Sequence, residues 1–426
     1  MATTTISPAT GSPDYFDKIT ALQEPLVGVL TSNSIPVNKF RYILQIYVNN
    51  SAQAKIKQQK NVAAAAIMDV SRIIRAFELP KYEQSAGNPI HNANLAVQGT
   101  GIVKYIQLKA GQEYADSATE NPNQYLAQDT QSFYSLMGKW QFKDGVKPDL
   151  TPYIYQDNTD SIKYLSSAPL KVKARLEDYG MIAFMNSNLD SPATPIDTLI
   201  YNITFFDSAG VQIGLIIEKG VVAHLSGITP VTSLAYASED NVGYYLPFAP
   251  ANIEAITGVT IPSNAASYTL LLFDDGGAAI WETKTVELYE DCKYTTTRLA
   301  WSNEFNAWDY FNFELAHTET INISRKKLTK PFGSWGAAAF EYQNHERGES
   351  IYDISGEQQF TVTSNWLNDA DFIWLKSMLM SKEVQVQDGN KWFSIVITDS
   401  SFELKQDIKG QLNNLTLTYK MANKLR

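Results

Sequence analysis

Residues 383–397 read EVQVQDGNKWFSIVI, and this stretch decides the fold class. Apolar and polar residues alternate on both sides of Asp388-Gly389-Asn390, as they do in strands that bury one face. An Asp-Gly pair between two alternating runs is a strong local signal for a β-hairpin. The segment therefore predicts two antiparallel strands joined by a tight turn.

The surrounding residues predict one helix and several more strands. Apolar side chains recur at three- and four-residue steps over residues 366–380, where Ser364 or Asn365 can cap the first turn. We expect residues 310–315 and 319–323 to pair across the short segment 316–318. Further strands are predicted at residues 359–363 and 413–419. This order of strand, helix and antiparallel strands is typical of a small α+β domain.

Similar alternation fills the first 290 residues, with turn residues between the runs. It predicts strands at residues 25–30, 40–48, 55–57, 102–108 and 283–289, and two hairpins, 198–206 with 211–217 and 268–273 with 278–281. Residues 68–77 fit either a strand end or one helical turn. Several short strands separated by turns favour β-sandwiches.

These patterns predict a mainly β protein of four parts. Residues 1–22, rich in Thr, Ser, Pro and Ala, are expected to form a flexible arm. Two β-sandwich-like domains are expected at residues 23–147 and 148–295. A C-terminal α+β domain with one helix is expected at residues 296–426.

Composition excludes several classes of protein. The net charge of −10 and the pI near 5.0 argue against a nucleic-acid-binding role, because contact with DNA needs clustered Lys and Arg. The longest basic cluster, residues 325–327, is interpreted as a solvated strand end. Cys292 is the only cysteine, so an intrachain disulfide is impossible. The first residues, MATTTISPATGSPD, do not resemble a signal peptide, and no apolar run is long enough to span a membrane.

The sequence contains no recognisable catalytic, cofactor-binding or metal site. The four histidines, His91, His224, His317 and His345, show no metal-ligand spacing. The acidic pairs 274–275 and 290–291 fit turn chemistry, although carboxylates from distant segments could still meet as in a glycosidase. Cys292 beside Lys293 has no nearby histidine, and Gly99-Thr100-Gly101 precedes a strand rather than a helix.

The densest aromatic segment is residues 301–313, WSNEFNAWDYFNF. Rings in such a segment either pack in a core or, if exposed, form a platform on which sugars stack. Packing in the core is the interpretation we favour.

Several segments resemble virion proteins of phages and prophages of Bacteroidetes-type hosts, including crAss-like phages. They are residues 40–49, 69–73, 292–294, 298–303, 308–313, 363–367, 395–400, 413 and 419. The resemblance covers residues 25–140 and 290–426. It implies a structural subunit of a tail or neck, as a ring, hub or baseplate protein in the virion, and it carries over no catalytic residues.

The C-terminal part is also similar to the tail-tube and distal-tail fold, a small β-barrel with one flanking helix. Subunits of that type form closed rings. The resemblance therefore implies three kinds of partner: copies of the chain itself, other virion proteins (portal, neck, tail or fibre), and genomic DNA that passes through without specific binding. No cofactor and no membrane partner are expected.

Three other hypotheses stay open at this point. The main alternative is a receptor-binding or fibre-attachment tail protein, in which the domain at residues 148–295 recognises host glycans through exposed aromatic rings. A glycan-cleaving enzyme would need a carboxylate pair. A secreted cellular adhesin would need an export signal.

Overall fold

A computed structural model shows that the protein is mainly β, with 54% strand and 9% helix, as the sequence predicted. The structure describes residues 4–8, 19–21, 25–33, 35–36, 38–77, 83–85, 88–92, 97–98, 101–138, 150–153, 161–185, 199–220, 243–258, 260–274, 281–290, 293–331, 333–336, 338–341, 343–345, 348–399 and 414–423. None of the described helices is long and apolar enough to cross a bilayer.

The elements follow one another along the chain in this order. The strands before residue 190 are β1 (Thr4–Pro8), β2 (Ile19–Ala21), β3 (Val27–Ser32), β4 (Arg41–Val48), β5 (Ser51–Gln58), β6 (Ala66–Asp69), β7 (Glu83–Ser85), β8 (Asn88–Pro89), β9 (Val97–Gln98), β10 (Val103–Tyr114), β11 (Asn123–Leu136), β12 (Lys171–Ala174) and β13 (Met181–Met185). The strands after it are β14 (Leu199–Phe206), β15 (Gln212–Gly220), β16 (Gly243–Pro247), β17 (Ser267–Asp274), β18 (Lys284–Leu288), β19 (Thr297–Ser302), β20 (Trp308–Phe313), β21 (Thr318–Thr329), β22 (Ser334–Trp335), β23 (Phe340–Glu341), β24 (Glu349–Thr363), β25 (Val384–Asp388), β26 (Lys391–Ile397) and β27 (Thr416–Met421). The helices are α1 (Ser71–Arg75), α2 (Pro250–Thr257) and α3 (Asp369–Leu379).

The chain divides into two compact units, and each unit is built from separate pieces of sequence. The first unit comprises Met1–Glu290, Ala300–Phe311 and Trp374–Lys382. The second comprises Asp291–Leu299, Asn312–Ile373 and Glu383–Arg426. The four-part division predicted from the sequence remains a prediction.

The first unit holds a five-stranded sheet of order β2-β11-β10-β4-β5 and a three-stranded sheet of order β1-β3-β6. In β4, the alternation predicted from the sequence buries Tyr42, Leu44 and Ile46. These residues share one hydrophobic core with Leu30 and Met68 of the smaller sheet. The two sheets therefore enclose a common core, as expected for a sandwich-like arrangement.

Strand β1 lies within the predicted flexible arm. It pairs antiparallel with β3 from Thr4 opposite Ser32 to Pro8 opposite Gly28. The sequence did not predict this strand, because five residues ending in proline show too little alternation to register as one.

A second five-stranded sheet in the first unit has the order β12-β18-β17-β14-β15. The predicted hairpin over residues 198–217 is confirmed as β14 and β15. Its turn is closed by Asp207 Oδ1, which accepts hydrogen bonds from the backbone N–H groups of Ala209 and Val211. The first strand of the other predicted hairpin is β17, which pairs with β14 and β18, and residues 278–280 of its predicted return strand lie outside the described residues.

Residues 68–77, which fitted strand or helix, contain both. Strand β6 ends at Asp69, and its Oδ1 accepts hydrogen bonds from the backbone N–H groups of Leu26 and Ser71. Helix α1 begins at Ser71 directly after it. One aspartate therefore links the end of the strand, the start of the helix and the neighbouring strand.

A seven-stranded sheet has the order β20-β19-β25-β26-β27-β24-β21, and its strands β21, β24, β25, β26 and β27 belong to the second unit. The predicted hairpin of residues 383–397 is confirmed as β25 and β26, and α3 occupies residues 369–379 within the predicted helix. The predicted pairing of residues 310–315 with 319–323 was wrong. Those residues belong to β20 and β21, which stand at the two ends of the sheet.

The predicted C-terminal barrel is not found among the described residues. The strand order of the seven-stranded sheet is open, with β20 at one end and β21 at the other. The local pattern gave the strands and the helix correctly, but sheet closure depends on long-range pairing that the pattern does not encode.

Candidate assembly surface

The longest pairing in the second unit joins β21 to β24. The two strands run antiparallel from Thr318 opposite Thr361 to Thr329 opposite Glu349, with one irregularity at Lys326 and Lys327. All twelve residues of β21 are exposed. A strand of this length with no buried residue is unusual, because most strands bury one face against a core.

One face of the β21–β24 hairpin carries four exposed isoleucines. Residues directly opposite each other in a ladder share a face, and alternate residues along a strand do too. By this rule Ile321 and Ile323 of β21 lie on the same face as Ile354 and Ile351 of β24, which stand opposite Arg325 and Lys327. We call these four residues the isoleucine stripe. Each is between 46% and 58% exposed.

The other face of the hairpin is mainly polar. It carries Asn322 and Ser324 on β21, opposite Glu357 and Ser355 of β24. These residues line a shallow cleft together with Ile323 and Gly356. Exposed Leu328 also lies on this second face, and Arg325 and Lys327 lie on the face of the stripe. The stripe is therefore a cluster of four exposed isoleucines and not a wholly apolar face.

The basic cluster of residues 325–327 lies within β21, and all three residues are exposed. Lys326 forms an ion pair with Asp353 at 2.8 Å, and Lys327 forms one with Glu349 at 2.6 Å. The predicted solvent exposure is therefore confirmed, but the cluster lies within β21 and not at a strand end. Because β21 ends the strand order, these charges also oppose pairing of its outer edge with a foreign strand.

The candidate residues named from the sequence do not come together in one site. His91 is buried, and its Nδ1 lies 2.6 Å from the hydroxyl oxygen of Tyr310. His317 and His345 are exposed. His224 and Cys292 lie outside the described residues, as do Gly99, Thr100, Asp275 and Asp291. Within the described ranges, no three His, Cys, Asp or Glu side chains are placed to hold a metal ion.

Asp309, in the first unit, is a buried carboxyl group whose pKa is shifted far from its ordinary value. It is 5% exposed, and burial raises its pKa to about 7, although the hydrogen bonds from Trp374 and Ser166 lower it. Ser166 Oγ donates to Oδ1 and Trp374 Nε1 donates to Oδ2, both at 2.7 Å. Both carboxylate oxygens are therefore occupied by side chains of the core, and a substrate would have no access to them.

Lys284 belongs to the same buried region. Burial lowers the pKa of its ammonium group to about 8, while the negative charges of Asp309 and Glu282 act in the opposite direction. Its Nζ donates a hydrogen bond to the carbonyl oxygen of Pro169 at 2.7 Å. The sequence contains no sign of this arrangement. Ser166 lies more than a hundred residues before the other two, and Lys284 and Asp309 belong to unrelated stretches of sequence.

The aromatic segment of residues 301–313 packs inside the protein, as the sequence analysis favoured. Trp301, Phe305, Trp308, Tyr310 and Phe313 are all buried. Eight aromatic residues that the structure describes between 161 and 281 are buried to a similar degree, namely Tyr164, Phe184, Phe205, Tyr244, Tyr245, Phe248, Tyr268 and Trp281, whereas Tyr179, Phe206 and Phe273 are half-buried. The buried rings provide no platform for stacking a sugar.

A comparison with protein-family models gives no match to the chain, and a comparison with curated proteins gives none either.

Proposed function

We propose that the protein is a non-catalytic structural subunit of a bacteriophage tail or neck. In this proposal, copies of the chain assemble with one another and with other virion proteins around the DNA channel, in the host bacterial cytoplasm. The observation that carries the proposal is the isoleucine stripe on the β21–β24 hairpin, in which every residue of β21 is exposed.

The stripe has the properties of a surface that a partner covers. Contiguous exposed apolar residues on one side of an element, with polar residues on the other, mark protein–protein contact sites. Covering the exposed half of each isoleucine would contribute roughly 1 kcal/mol, so the four together matter to an assembly. The charged edge of β21 favours contact through this face over the addition of a strand.

The charge of the chain suits a wall around DNA. A net charge of −10 repels the phosphate backbone, so a duplex would pass without adhering. The lysines of the basic cluster in β21 are already paired with acidic residues of β24.

The proposal includes the finer fold: two β-sandwich-like domains, predicted from strand patterns, and a C-terminal α+β domain that resembles the tail-tube and distal-tail fold in its order of elements, without a closed barrel. Two features support it. Two sheets of the first unit enclose a shared core, and the chain from residue 349 onward follows the order long strand, helix, hairpin and strand in β24, α3, β25, β26 and β27.

The test is the mass and shape of the full chain in solution. Light scattering and negative-stain electron microscopy should show rings or particles many times 47.6 kDa, either alone or with co-expressed tail and neck proteins. The double variant Ile323→Glu/Ile354→Glu places two charges in the stripe and should reduce the protein to monomers with an unchanged circular dichroism spectrum.

Ser324→Glu is the matched control, because it adds a charge to the polar face of the same hairpin. It should assemble like the natural protein. A natural chain that stays at 47.6 kDa at tens of micromolar, even beside partner virion proteins, would overturn the proposal. So would normal assembly of the double variant.

A further inference from the structure

Strand β1 is held along both of its edges, in different ways. Its inner edge pairs with β3. On its outer edge, the backbone N–H of Thr4 donates to Gln128 Oε1 at 2.8 Å, and the N–H of Ile6 donates to Asp129 Oδ2 at 2.9 Å. Two side chains of β11 therefore replace the neighbouring strand that a sheet would normally supply.

The side chains of β1 are held as well. Ile6 is 4% exposed and belongs to the same core as Leu30 and Met68. Thr4 Oγ1 donates to Gln112 Oε1 of β10 at 3.2 Å. Together, β3, the side chains of Gln112, Gln128 and Asp129, and this part of the core form what we call the strand groove. It accepts an extended segment with a small polar residue two positions before a buried isoleucine.

The contacts between β1 and the strand groove do not depend on the residues that follow β1 in the chain. The nearest groove residues in sequence are those of β3, and Gln112, Gln128 and Asp129 are 108 to 124 residues away from their partners. The same five residues from another copy of the chain would make identical contacts. Exchange of an identical element between copies therefore costs no contacts.

The sequence that follows β1 suits a connection between copies. Residues 9–18 read ATGSPDYFDK, which is rich in residues typical of turns and linkers. Ten residues can span at most roughly 35 Å when extended, which sets an upper limit on how far β1 can reach from the rest of its chain.

We infer that the strand groove of one copy receives the β1 strand of a second copy when the protein assembles. The inference rests on the proposed self-assembly and specifies one of its contacts. Once two copies touch through another surface, such as the isoleucine stripe, the neighbour's strand is present at a high effective concentration. Exchange would then tie adjacent subunits together by hydrogen bonds and a buried isoleucine.

A disulfide across the strand groove tests the inference. Thr5 and Thr31 stand opposite each other in the β1–β3 ladder, and their hydroxyl oxygens are 3.0 Å apart. Cysteines at directly opposed strand positions are within disulfide range. The full-length variant Thr5→Cys/Thr31→Cys/Cys292→Ser carries only this pair of thiols, since Cys292 is the only natural cysteine.

After assembly and mild oxidation, exchange between copies should give a ladder of covalent multiples of 47.6 kDa on a non-reducing gel. A disulfide within single chains would overturn the inference, and so would the absence of any disulfide. Thr5→Cys/Ser208→Cys/Cys292→Ser is the control for random cross-linking, because Ser208 lies in an exposed turn remote in sequence from β3. The ladder should be at least tenfold weaker in this control.

The mass of the same sample before oxidation separates the two claims. Large particles whose disulfides all lie within single chains would contradict the strand exchange but would agree with the proposed assembly. A monomer of 47.6 kDa with an internal disulfide would sink both.

Discussion

The indole N–H of Trp374 donates a hydrogen bond to Oδ2 of Asp309 at 2.7 Å, in the buried interior of the first unit. Ser166 donates to the other carboxylate oxygen at the same distance. Trp374 lies on α3 and Asp309 on β20, so a single carboxylate joins a helix, a strand and the segment before β12. Removing such a buried carboxylate costs free energy of folding, because the groups that donate hydrogen bonds to it lose their acceptor and cannot reach water instead.

Replacing Asp309 with alanine should destabilise the protein strongly. The variant leaves the donors of Ser166 and Trp374 buried without this acceptor, at about 1–3 kcal/mol each. We expect the free energy of unfolding, measured by urea denaturation with tryptophan fluorescence, to fall by roughly 3 kcal/mol or more. Asp116→Ala, at an exposed position, is the control and should change it by less than about 0.5 kcal/mol. Equal denaturation midpoints for the two variants would contradict the role assigned to Asp309.

The raised pKa of Asp309 predicts a specific pH dependence. Its pKa is about 7 in the folded protein against an ordinary value of 3.8, so as the pH rises the unfolded chain loses this proton first. Unfolding is then favoured, and the contribution of Asp309 to stability is greatest below pH 4 and declines up to pH 7. Lys284, with a pKa of about 8, stays protonated in this range.

The readout is the difference in unfolding free energy between the natural protein and Asp309→Asn. Between pH 5 and pH 7, that difference should shift by about 2 kcal/mol in favour of the variant, because asparagine does not titrate. Other carboxylates contribute equally to both proteins and cancel. Parallel stability curves over this range would mean that the pKa of Asp309 is not raised.

The contact between His91 and Tyr310 predicts a smaller loss. Tyr310→Phe removes the hydroxyl that lies 2.6 Å from the buried Nδ1 of His91 and keeps the ring. We expect the unfolding free energy to drop by about 1–2 kcal/mol. Tyr294→Phe, which removes an exposed hydroxyl, should leave it unchanged within about 0.5 kcal/mol. A null result for Tyr310→Phe would show that the hydrogen bond contributes nothing net.

Gly111 should not tolerate a side chain. It lies at the irregularity in the β10–β11 ladder, where a Cβ atom would collide with the backbone carbonyl oxygen of Tyr125. Gly111→Ala should therefore lower the thermal midpoint by several degrees, as expected for a loss of 1–3 kcal/mol. In the control, Gly336→Ala, the new Cβ meets only Ala339 O, at 3.5 Å. A thermal midpoint that moves equally in both variants would refute this account of Gly111.

Local patterns in the sequence predicted individual elements well. Alternation and turn residues predicted the β14–β15 and β25–β26 hairpins, and the three- and four-residue spacing predicted α3. In each hairpin the information is contained in a single run of roughly fifteen to twenty consecutive residues. Such signals depend on neighbouring residues only, so they hold for any tertiary structure of the rest of the chain.

Pairing between distant strands could not be predicted in the same way. Strand β21 follows β20 closely in sequence but pairs with β24, and β17 takes β18 as its partner after a longer connection. The choice depends on which faces the whole core buries. The same holds for the cluster around Asp309, whose partners Ser166 and Trp374 are 143 and 65 residues away.

The sequence shows the isoleucines of the candidate surface, but it does not show that they lie together on an exposed face. Ile321 and Ile323 alternate with polar residues, which normally indicates a half-buried strand. The structure shows the same alternation, yet these two isoleucines are 54% and 50% exposed. Alternation records which face is apolar and leaves open whether the chain itself or another molecule covers it.

The polypeptide passes between its two compact units at five points along the sequence, between Glu290 and Asp291 and then four more times before residue 384. A gene rearrangement with one breakpoint therefore cannot transfer either unit intact. Recombination would join half-units from different parents, and most such chimaeras would fail to fold. The two units are consequently expected to be inherited together, and their sequences should diverge at similar rates even if they meet different neighbours.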